Sequence, residues 1–215
     1  MWQNISAIGK KVVTSGLVEA NFGNISVRSA SGNSFVITKT KTALDEIQRD
    51  SVIEVPIEEP NEAPVETFAE TPDFDSPEYT MIPKSVFGAI EKTASSETRI
   101  HRRIYQKTKA KAILHAHCPY SVVMSILEFE KGNTEIIPID SEGKLFLKRI
   151  PIVEGGIGSE ELAKNAAKAF EDDNIKGVVV LGHGTIAAGE TLEEAYYITA
   201  QLEHAAKIKY MYEKA

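Results

Sequence analysis

The chain has 215 residues, 42% of them apolar, and is long enough to bury one sizeable core without requiring a second domain. Its 24 Lys and Arg residues against 31 Asp and Glu residues give a formal net charge of −7, which disfavours generic binding to nucleic acid or anionic lipid. A single cysteine, Cys118, excludes an intramolecular disulfide, and no apolar run approaches the ~20 residues that span a bilayer. We therefore expect one cytoplasmic domain over residues 1–215, without a signal peptide.

The N-terminal part of the chain predicts a helix and then a β-hairpin. Ile5, Ile8 and Val12 recur at helical spacing close to the N-terminus. Two β-rich runs, "NFGNISVRS" and "NSFVITKT", are separated by Ser and Gly residues that suit a tight turn. The run "SVIEVPI" is typical of a further strand.

Residues 58–83 do not continue this pattern. They contain five prolines and many acidic residues, with no sustained hydrophobic period. Neither flank of the segment is long enough to form a separate domain, so we interpret it as an insertion within a single domain.

The middle of the chain predicts a helix, a strand and a second helix. The run "SSETRIHRRIYQKT" is helical in pattern, with Ser95 or Ser96 available as the N-cap. "AKAILHAH" is typical of a strand, and Pro119 suits the first turn of the helix that follows. Two apolar runs, "TEIIPI" and "KLFLKRIPIV", then predict strands.

The C-terminal part predicts a helix, a strand and a second helix. Ser159 is the predicted N-cap of one helix, and Thr191 with Glu194 predicts a capping box at the start of the last one. Between them, "GVVVLGHGTIAAG" is typical of a strand with a glycine-flanked bend. Strands and helices interleave without a repeating βαβ unit. The predicted fold class is therefore α/β, a three-layer α/β/α sandwich with a central, largely antiparallel or mixed sheet.

Two of the five histidines, His115 and His117, project from the same side of the predicted strand, with Cβ atoms roughly 7 Å apart. Catalytic zinc sites use three protein ligands and leave a position open. His183 is the candidate third ligand, because the glycines on both sides of it allow a tight bend. A pair of hydrogen-bonded core or surface histidines remains the alternative. His101 and His204 fall within helices, where packing or surface roles are favoured.

Cys118 follows His117 directly and is a second, softer candidate ligand. It sits next to Pro119 on the opposite side of the strand from His117, which favours the role of a small buried hydrophobe.

Several motifs in a fixed order extend from Asn21 to about Ala206. They are "FGNISVR", "ITKT", "SSETRIHRRIY", "AILHAHCPYSV" and "LGHGTIAAGETLEEAYYITAQLEHAAKI". Together they resemble the class II aldolase/adducin family, and in particular its fuculose-phosphate aldolase branch. The resemblance implies a three-layer α/β/α fold, a homotetramer with active sites at subunit interfaces, and one divalent metal ion, usually zinc.

The resemblance also implies roles for single residues. His115, His117 and His183 match the family's metal ligands, and Glu97 matches its acid/base residue. The matching phosphate-binding residues are Gly23, Asn24, Thr40, Ser95 and Ser96. Hydroxyls, an amide and a helix N-terminus offer converging donors to a phosphate dianion, although turn formation and N-capping would also explain these residues.

The chain departs from the family pattern in two places. Lys39 and Lys41 replace a proline and a glycine of the phosphate loop. Where the related aldolases offer a tyrosine acid from a neighbouring subunit, this chain has "IIPIDSEGKLFL". Glu142 is our candidate for the second acid/base group, with a plain turn at "DSEG" as the alternative.

The resemblance implies a divalent-metal-dependent aldolase that cleaves a phosphorylated ketose through a metal-stabilised enediolate. A sugar-phosphate 4-epimerase or a methylthioribulose-phosphate-type dehydratase would use much of the same chemistry. A non-catalytic adducin-like interaction module is a further alternative, which the presence of all three histidines and Glu97 disfavours. A purely structural metal site would instead predict a closed fourth ligand.

Overall fold

The computed structural model of the chain describes residues 1–59 and 84–215. Glu58 and Glu59 are exposed at the end of the first range. The rest of the predicted 58–83 insertion lies outside the described residues, and the insertion stays a prediction.

A single mixed sheet forms the centre of the molecule. Within the described residues it has eight strands in the order β3-β2-β1-β4-β8-β7-β6-β5. Of these neighbours only β6 and β7 pair in parallel. The strands are β1 (Gly23–Arg28), β2 (Ser34–Thr38), β3 (Val52–Pro56), β4 (Ala112–Ala116), β5 (Glu135–Ile136), β6 (Ile150–Val153), β7 (Gly177–Val180) and β8 (Gly184–Gly189).

Helices cover both faces of this sheet, as the sequence predicts. They are α1 (Trp2–Thr14), α2 (Lys84–Thr93), α3 (Thr98–Lys107), α4 (Pro119–Glu130), α5 (Glu160–Ala169) and α6 (Leu192–Lys214). Apolar residues of α3 and α5 pack on one face of the sheet, and those of α1, α4 and α6 pack on the other. The three-layer prediction is therefore confirmed. Within the ranges given above, no helix is long and apolar enough to cross a bilayer.

The predicted β-hairpin is formed by β1 and β2. Ser26 pairs with Ile37 in an antiparallel register, and β1 pairs on its other side with β4. This places the start of β1 and the end of β2 at the same end of the sheet as the end of β4. Loops from distant parts of the chain therefore meet at that end.

The prediction of a long strand over "KLFLKRIPIV" is wrong in its first half. Residues Gly143–Leu147 form a short π-helical turn, and β6 begins only at Ile150. The side chain of Asp140 accepts a hydrogen bond from the backbone N–H of Gly143 at 2.7 Å, which turns the chain away from the sheet. Leu145 and Phe146 are exposed, so this apolar run does not fill the core.

The N-cap of α3 also differs from the prediction. The cap residue is Glu97, one position beyond the two serines, and its side chain makes no capping bond. Ser95 Oγ instead accepts a hydrogen bond from the N–H of Glu97 at 3.3 Å, a local turn that delays the start of the helix. The carboxylate of Glu97 is thereby left free to face the sheet.

The other predicted caps are present. Ser159 accepts a hydrogen bond from Leu162 N at 3.0 Å, and Thr191 accepts one from Glu194 N at 3.0 Å. The side chain of Glu194 accepts a hydrogen bond from the N–H of Glu190. A regular capping box would use the N–H of Thr191, one residue later.

The N-terminus of α4 is held by a carboxylate from α6. Pro119 occupies the first turn as predicted. Glu203 accepts hydrogen bonds from Tyr120 N at 2.9 Å, from Ser121 N at 2.8 Å and from Ser121 Oγ at 2.8 Å. A carboxylate at this position satisfies free N–H groups and is stabilised by the helix dipole. It fixes the start of α4 only two residues after His117.

We expect Glu203→Gln to lower the free energy of unfolding by about 1–3 kcal/mol, because the amide turns one acceptor into a donor that faces buried N–H groups. Urea denaturation of the purified protein measures this change. The control is Glu161→Gln, which alters an exposed carboxylate in the first turn of α5 and should cost less than about 1 kcal/mol. Equal losses from the two variants would contradict a specific role of Glu203.

Candidate metal centre

Three histidines from distant parts of the chain converge at one end of the sheet. His115 lies in β4, His117 directly follows that strand, and His183 lies in the bend between β7 and β8. Their ring centroids are 4.8 Å apart for the 115–117 and 115–183 pairs, and 4.4 Å apart for the 117–183 pair. One ring nitrogen of each lies within 4.8 Å of the others, and together these atoms could hold a metal ion.

The pairing of β4 with β8 brings these rings together. Ala116 pairs with Thr185, so the bend that carries His183 lies beside the end of β4. A Cβ atom at Gly184 would lie 2.6 Å from the carbonyl oxygen of Ala116, so only glycine allows this approach. Gly182 has a φ of 65°, in the left-handed region that glycine adopts without strain. The predicted glycine-flanked bend is thus a requirement of the site.

The ring nitrogens are presented as metal ligands require. The Nδ1–H of His115 donates to the carbonyl oxygen of Thr185 at 2.9 Å, which leaves Nε2 as the lone-pair nitrogen. Nε2 of His115 and Nδ1 of His183 are buried, and neither has a hydrogen-bond partner in the described part of the chain. Two nitrogens bound to one tetrahedral ion are about 3.4 Å apart, so an ion would draw the three rings slightly closer.

Glu97 completes the cluster from the other side. Its Oε2 atom lies 2.9 Å from Nε2 of His115, and its Oε1 atom lies 3.5 Å from Nδ1 of His183. Asn24 Nδ2 donates a hydrogen bond to Oε2 at 3.3 Å. A carboxylate oxygen and a lone-pair nitrogen at 2.9 Å repel each other unless a positive charge is shared with them. The geometry therefore requires a cation here, which is either a proton or a metal ion.

The pKa shifts of the cluster agree with this requirement. Burial would raise the pKa of Glu97, but the charge and contact of His115, with His183 and Asn24, lower it well below its ordinary value. Burial would lower the pKa of His115, but the charge and contact of Glu97 outweigh it and raise that pKa. Burial and the neighbouring imidazoles lower the pKa of His117 to about 4, and burial also lowers that of His183. The pocket thus stabilises one positive charge beside an ionised Glu97.

One side of the cluster opens to solvent. Phe22 stacks on His117 with ring centroids 5.6 Å apart and an interplanar angle of 16°. The Phe22 side chain is 49% exposed, and His117 is only half-buried. A small molecule can reach the histidines from this side, as the open position of a catalytic site requires.

The predicted phosphate-binding residues lie at the same end of the sheet. Asn24 is the cross-strand partner of His115, and Gly23 precedes it. Ser95 N donates to the carbonyl oxygen of Thr38 at 3.2 Å, which joins the start of α3 to the end of β2 near Thr40. Thr40 and Ser96 are exposed, whereas Asn24 and Ser95 are buried. The structure brings these residues together, and their role in binding phosphate stays a prediction.

The predicted phosphate loop, which carries Lys39 and Lys41, has a left-handed backbone at a residue that is not glycine. Lys41 has a φ of 63°, in the left-handed region that non-glycine residues seldom adopt. Lys39 forms an isolated antiparallel bridge with Ala94, next to the two serines. Lys41 therefore places an exposed, charged side chain at a position with a left-handed backbone.

Glu142 lies at the opposite end of the sheet from the histidines. It belongs to the connection from β5 to β6, which is at the end where β7 begins. Lys148 Nζ, farther along this connection, bonds Asn174 Oδ1 at 3.0 Å in the loop before β7. Glu142 accepts a hydrogen bond from Ser141 Oγ at 2.8 Å. Across residues 1–59 and 84–215, no contact joins Glu142 to the histidine cluster of its own chain.

The structure also shows what the remaining candidates do. Cys118 is fully buried, and burial raises the pKa of its thiol to about 12, as fits the predicted small hydrophobe. His204 is exposed on α6.

His101 has the packing role that the sequence favours, because its side chain is fully buried. Its Nδ1 atom also lies 2.7 Å from Ser26 Oγ on β1, a hydrogen bond that the sequence does not predict. Its position four residues after Glu97 places it one helical turn farther along α3.

Comparison with known proteins shows the family of the chain. The model of the family described as "Class II Aldolase and Adducin N-terminal domain" matches residues 3–210. The chain belongs to this family. An L-fuculose phosphate aldolase of Methanocaldococcus jannaschii is 28% identical over 203 residues, which cover 94% of this chain and 91% of that protein.

Two further relatives show the range of the family. A methylthioribulose-1-phosphate dehydratase of a Sulfurihydrogenibium species is 30% identical over 133 residues, covering 58% of this chain and 59% of that protein. The crystal structure of L-fuculose-1-phosphate aldolase from Thermus thermophilus superposes with a TM-score of 0.76 at 27% identity, covering 99% of this chain and 93% of that one. The family and its fold are shared over nearly the whole chain.

We expect His115→Ala, His117→Ala and His183→Ala each to weaken zinc binding by more than about 100-fold. Each variant removes one of the three candidate ligands, and even the loss of an outer partner of a ligand costs about 10–100-fold. Metal analysis after dialysis against a weak chelator measures the retained zinc. The control is His204→Ala, which removes the exposed imidazole on α6 and should retain as much zinc as the unmodified chain. Full zinc retention in His115→Ala would contradict the assignment.

Proposed function

We propose that the protein is a zinc-dependent aldolase that cleaves a phosphorylated ketose, similar to the fuculose-phosphate aldolases. The observation that carries this proposal is the buried, ionised Glu97 at 2.9 Å from His115 within a cluster of three histidines. A carboxylate beside an open metal site can move a proton on a substrate bound there. The similarity to two fuculose-phosphate aldolases, one by sequence and one by structure, supports the choice of reaction.

His115, His117 and His183 are the proposed ligands, and three neutral imidazoles suit zinc among the divalent ions. When bound, the ion supplies Lewis-acid stabilisation of negative charge that develops on adjacent substrate oxygens. The chain itself fixes the ligands: Thr185 orients His115, Phe22 stacks on His117, and the bend at Gly182 positions His183.

Glu97 is the proposed base. Its lowered pKa keeps the carboxylate ionised. Its place beside the open site lets it accept a proton from the carbon next to the substrate carbonyl in the condensation direction. In the cleavage direction the transfers are reversed: the second acid/base group takes the proton of the substrate hydroxyl as the carbon–carbon bond breaks, and Glu97, in its protonated form, donates a proton to the carbon next to the carbonyl. Asn24 holds Oε2 by its amide, so the carboxylate keeps one orientation through both directions.

The substrate phosphate is proposed to lie between the start of β1 and the start of α3. Gly23, Asn24, Thr40, Ser95 and Ser96 all lie at this end of the sheet. Free N–H groups at the start of α3 and nearby hydroxyls are suited to a dianion. The exposed Lys41 adds positive charge to the same loop.

We propose that Glu142 serves as the second acid/base group of a neighbouring subunit in a homotetramer. Within one chain it lies at the opposite end of the sheet from the histidines, so it can act only on the site of another copy. This arrangement agrees with active sites at subunit interfaces.

Dehydration of a methylthioribulose-phosphate-type substrate is the second candidate. The acidic Glu142 in place of a tyrosine favours it, as does the relative named as a dehydratase. Both reactions include proton transfer at the carbon next to a carbonyl, as the first step of dehydration and as the last step of aldol cleavage, and they differ in which bond breaks.

NMR of a panel of ketose phosphates incubated with zinc-loaded protein separates the candidates. Formation of dihydroxyacetone phosphate and an aldehyde supports the aldolase. Loss of water supports the dehydratase, and inversion at a carbon supports an epimerase. A protein that binds no metal and turns over no member of the panel would overturn the proposal in favour of an adducin-like interaction module.

We expect Glu97→Gln to lower kcat by about 10²–10⁴-fold, because the amide cannot accept a proton. Zinc content should be unchanged, since the three histidines are intact. The matched control is Glu193→Gln, an exposed carboxylate in the first turn of α6 at the end of the sheet opposite the histidines, with unchanged kcat. Wild-type kcat in a zinc-loaded Glu97→Gln enzyme would contradict the assignment of the base.

Mixed oligomers test the proposed origin of Glu142. Glu97→Gln and Glu142→Gln should each be nearly inactive alone, but subunits dissociated and reassembled together should regain about one quarter of wild-type activity, the fraction of intact shared sites under random mixing. Mixing wild-type chains with themselves controls for losses during reassembly. No recovery in the mixture, with reassembly confirmed by size-exclusion chromatography, would place both groups in one chain.

A further inference from the structure

Polar side chains on one face of β1 bond to one face of α3 in a regular series. Residues 24, 26 and 28 of β1 point to the same face of the sheet, because strand side chains alternate. Residues 97, 101 and 105 share one face of α3, one turn apart. Two residues of a strand span about 6.6 Å and four residues of a helix span about 6 Å, so the two series stay in register.

Each step of this series carries a hydrogen bond. Asn24 donates to Glu97 at 3.3 Å, and Ser26 Oγ lies 2.7 Å from His101 Nδ1 and 2.8 Å from the Tyr105 hydroxyl. Arg28 Nη2 donates to the carbonyl oxygen of Tyr105 at 2.6 Å. The register of α3 on β1, and with it the position of Glu97, is set by this series.

The hydrogen atoms in the bonds of Ser26 to His101 and to Tyr105 can be placed by elimination. The Tyr105 hydroxyl is buried, and in the described part of the chain its one side-chain partner is Ser26 Oγ. A buried hydroxyl has to donate its hydrogen, so Tyr105 donates to Ser26. Ser26 therefore donates its own hydrogen to Nδ1 of His101, and a neutral His101 carries its proton on Nε2.

Nε2 of His101 is buried and has no partner in the described part of the chain. Glu97 Oε1, one turn earlier on the same face of α3, is likewise without a hydrogen bond. We propose that His101 is a positioning residue for Glu97: Tyr105 and Ser26 hold it in the Nε2–H tautomer, and its bond to Ser26 fixes the register of the α3 face that carries Glu97.

A neutral donor suits this place better than a charged one. Burial lowers the pKa of His101 to about 3, so the imidazole is uncharged in the working range of pH. A second cation next to Glu97 would lower the basicity of the carboxylate and compete with the positive charge held by the three metal histidines. A neutral His101 can hold α3 on β1 without that penalty.

Histidine ¹⁵N NMR of the zinc-loaded protein tests the tautomer directly. The His101 signal is the one that disappears in His101→Gln. We expect a neutral ring with Nε2 protonated between about pH 5 and pH 8, and a mixture of tautomers in Ser26→Ala. An Nδ1–H tautomer in the unmodified chain, or titration of His101 near its ordinary pKa, would overturn the inference.

Steady-state kinetics tests the positioning role, which rests on the proposed function. We expect Ser26→Ala to lower kcat about 10-fold with KM and zinc content unchanged, and His101→Gln to retain more kcat than His101→Leu because the amide keeps a donor. The matched control is Ser34→Ala, which removes a buried hydroxyl on β2 that bonds Ser29 and Glu54.

Equal kcat for Ser26→Ala and the unmodified chain would overturn the positioning role, as would equal losses for His101→Gln and His101→Leu. If the unmodified chain turns over no sugar phosphate, the proposed aldolase fails. The tautomer of His101, and its change in Ser26→Ala, would still decide whether the Tyr105–Ser26–His101 series exists as inferred.

Discussion

A carboxylate buried in a protein needs a compensating positive charge. At the histidine end of the sheet, this buried carboxylate is that of Glu97. The helix that begins after Glu97 packs on β1 and places the carboxylate between His115 and His183. Desolvation makes an isolated charge there costly, so the imidazoles, the amide of Asn24 and a shared cation are required together. The metal site and the proposed base are therefore one electrostatic unit.

The antiparallel sheet explains how so few residues build this unit. Three strand ends are neighbours in the sheet: the end of β4, the start of β8 and the start of β1. Each of them provides a side chain of the cluster from a position at or next to a turn. Glycines allow close approach of the backbones there, and the carboxylate of Glu203 anchors the following helix. Rigid strand ends hold the ligands, while Phe22 and the loop around Thr40 border the open side.

The sequence was sufficient for the layers, the hairpin, most caps and the three histidines, because these follow from local periodicity, turn chemistry and ordered motifs. It was insufficient where a contact of a single side chain decides the outcome. Asp140 accepts a hydrogen bond from the N–H of Gly143, and the first half of the predicted strand "KLFLKRIPIV" does not form. Ser95 forms a local turn that moves the N-cap of α3 to Glu97. The burial of His101 depends on the register of α3 on β1, which no local pattern encodes.

The buried imidazole of His101 also makes the fold sensitive to acid. In the unfolded chain this ring takes up a proton near pH 6.5, whereas in the folded protein it does so only near pH 3. Between these values the unfolded state binds more protons, so unfolding becomes easier by about 1.4 kcal/mol for each unit that the pH falls. Below the ordinary pKa of a glutamate the lowered pKa of Glu97 adds to this loss, because the unfolded chain takes up that proton first. A falling pH therefore lowers the stability of the whole fold through two groups on the side of α3 that bonds to β1.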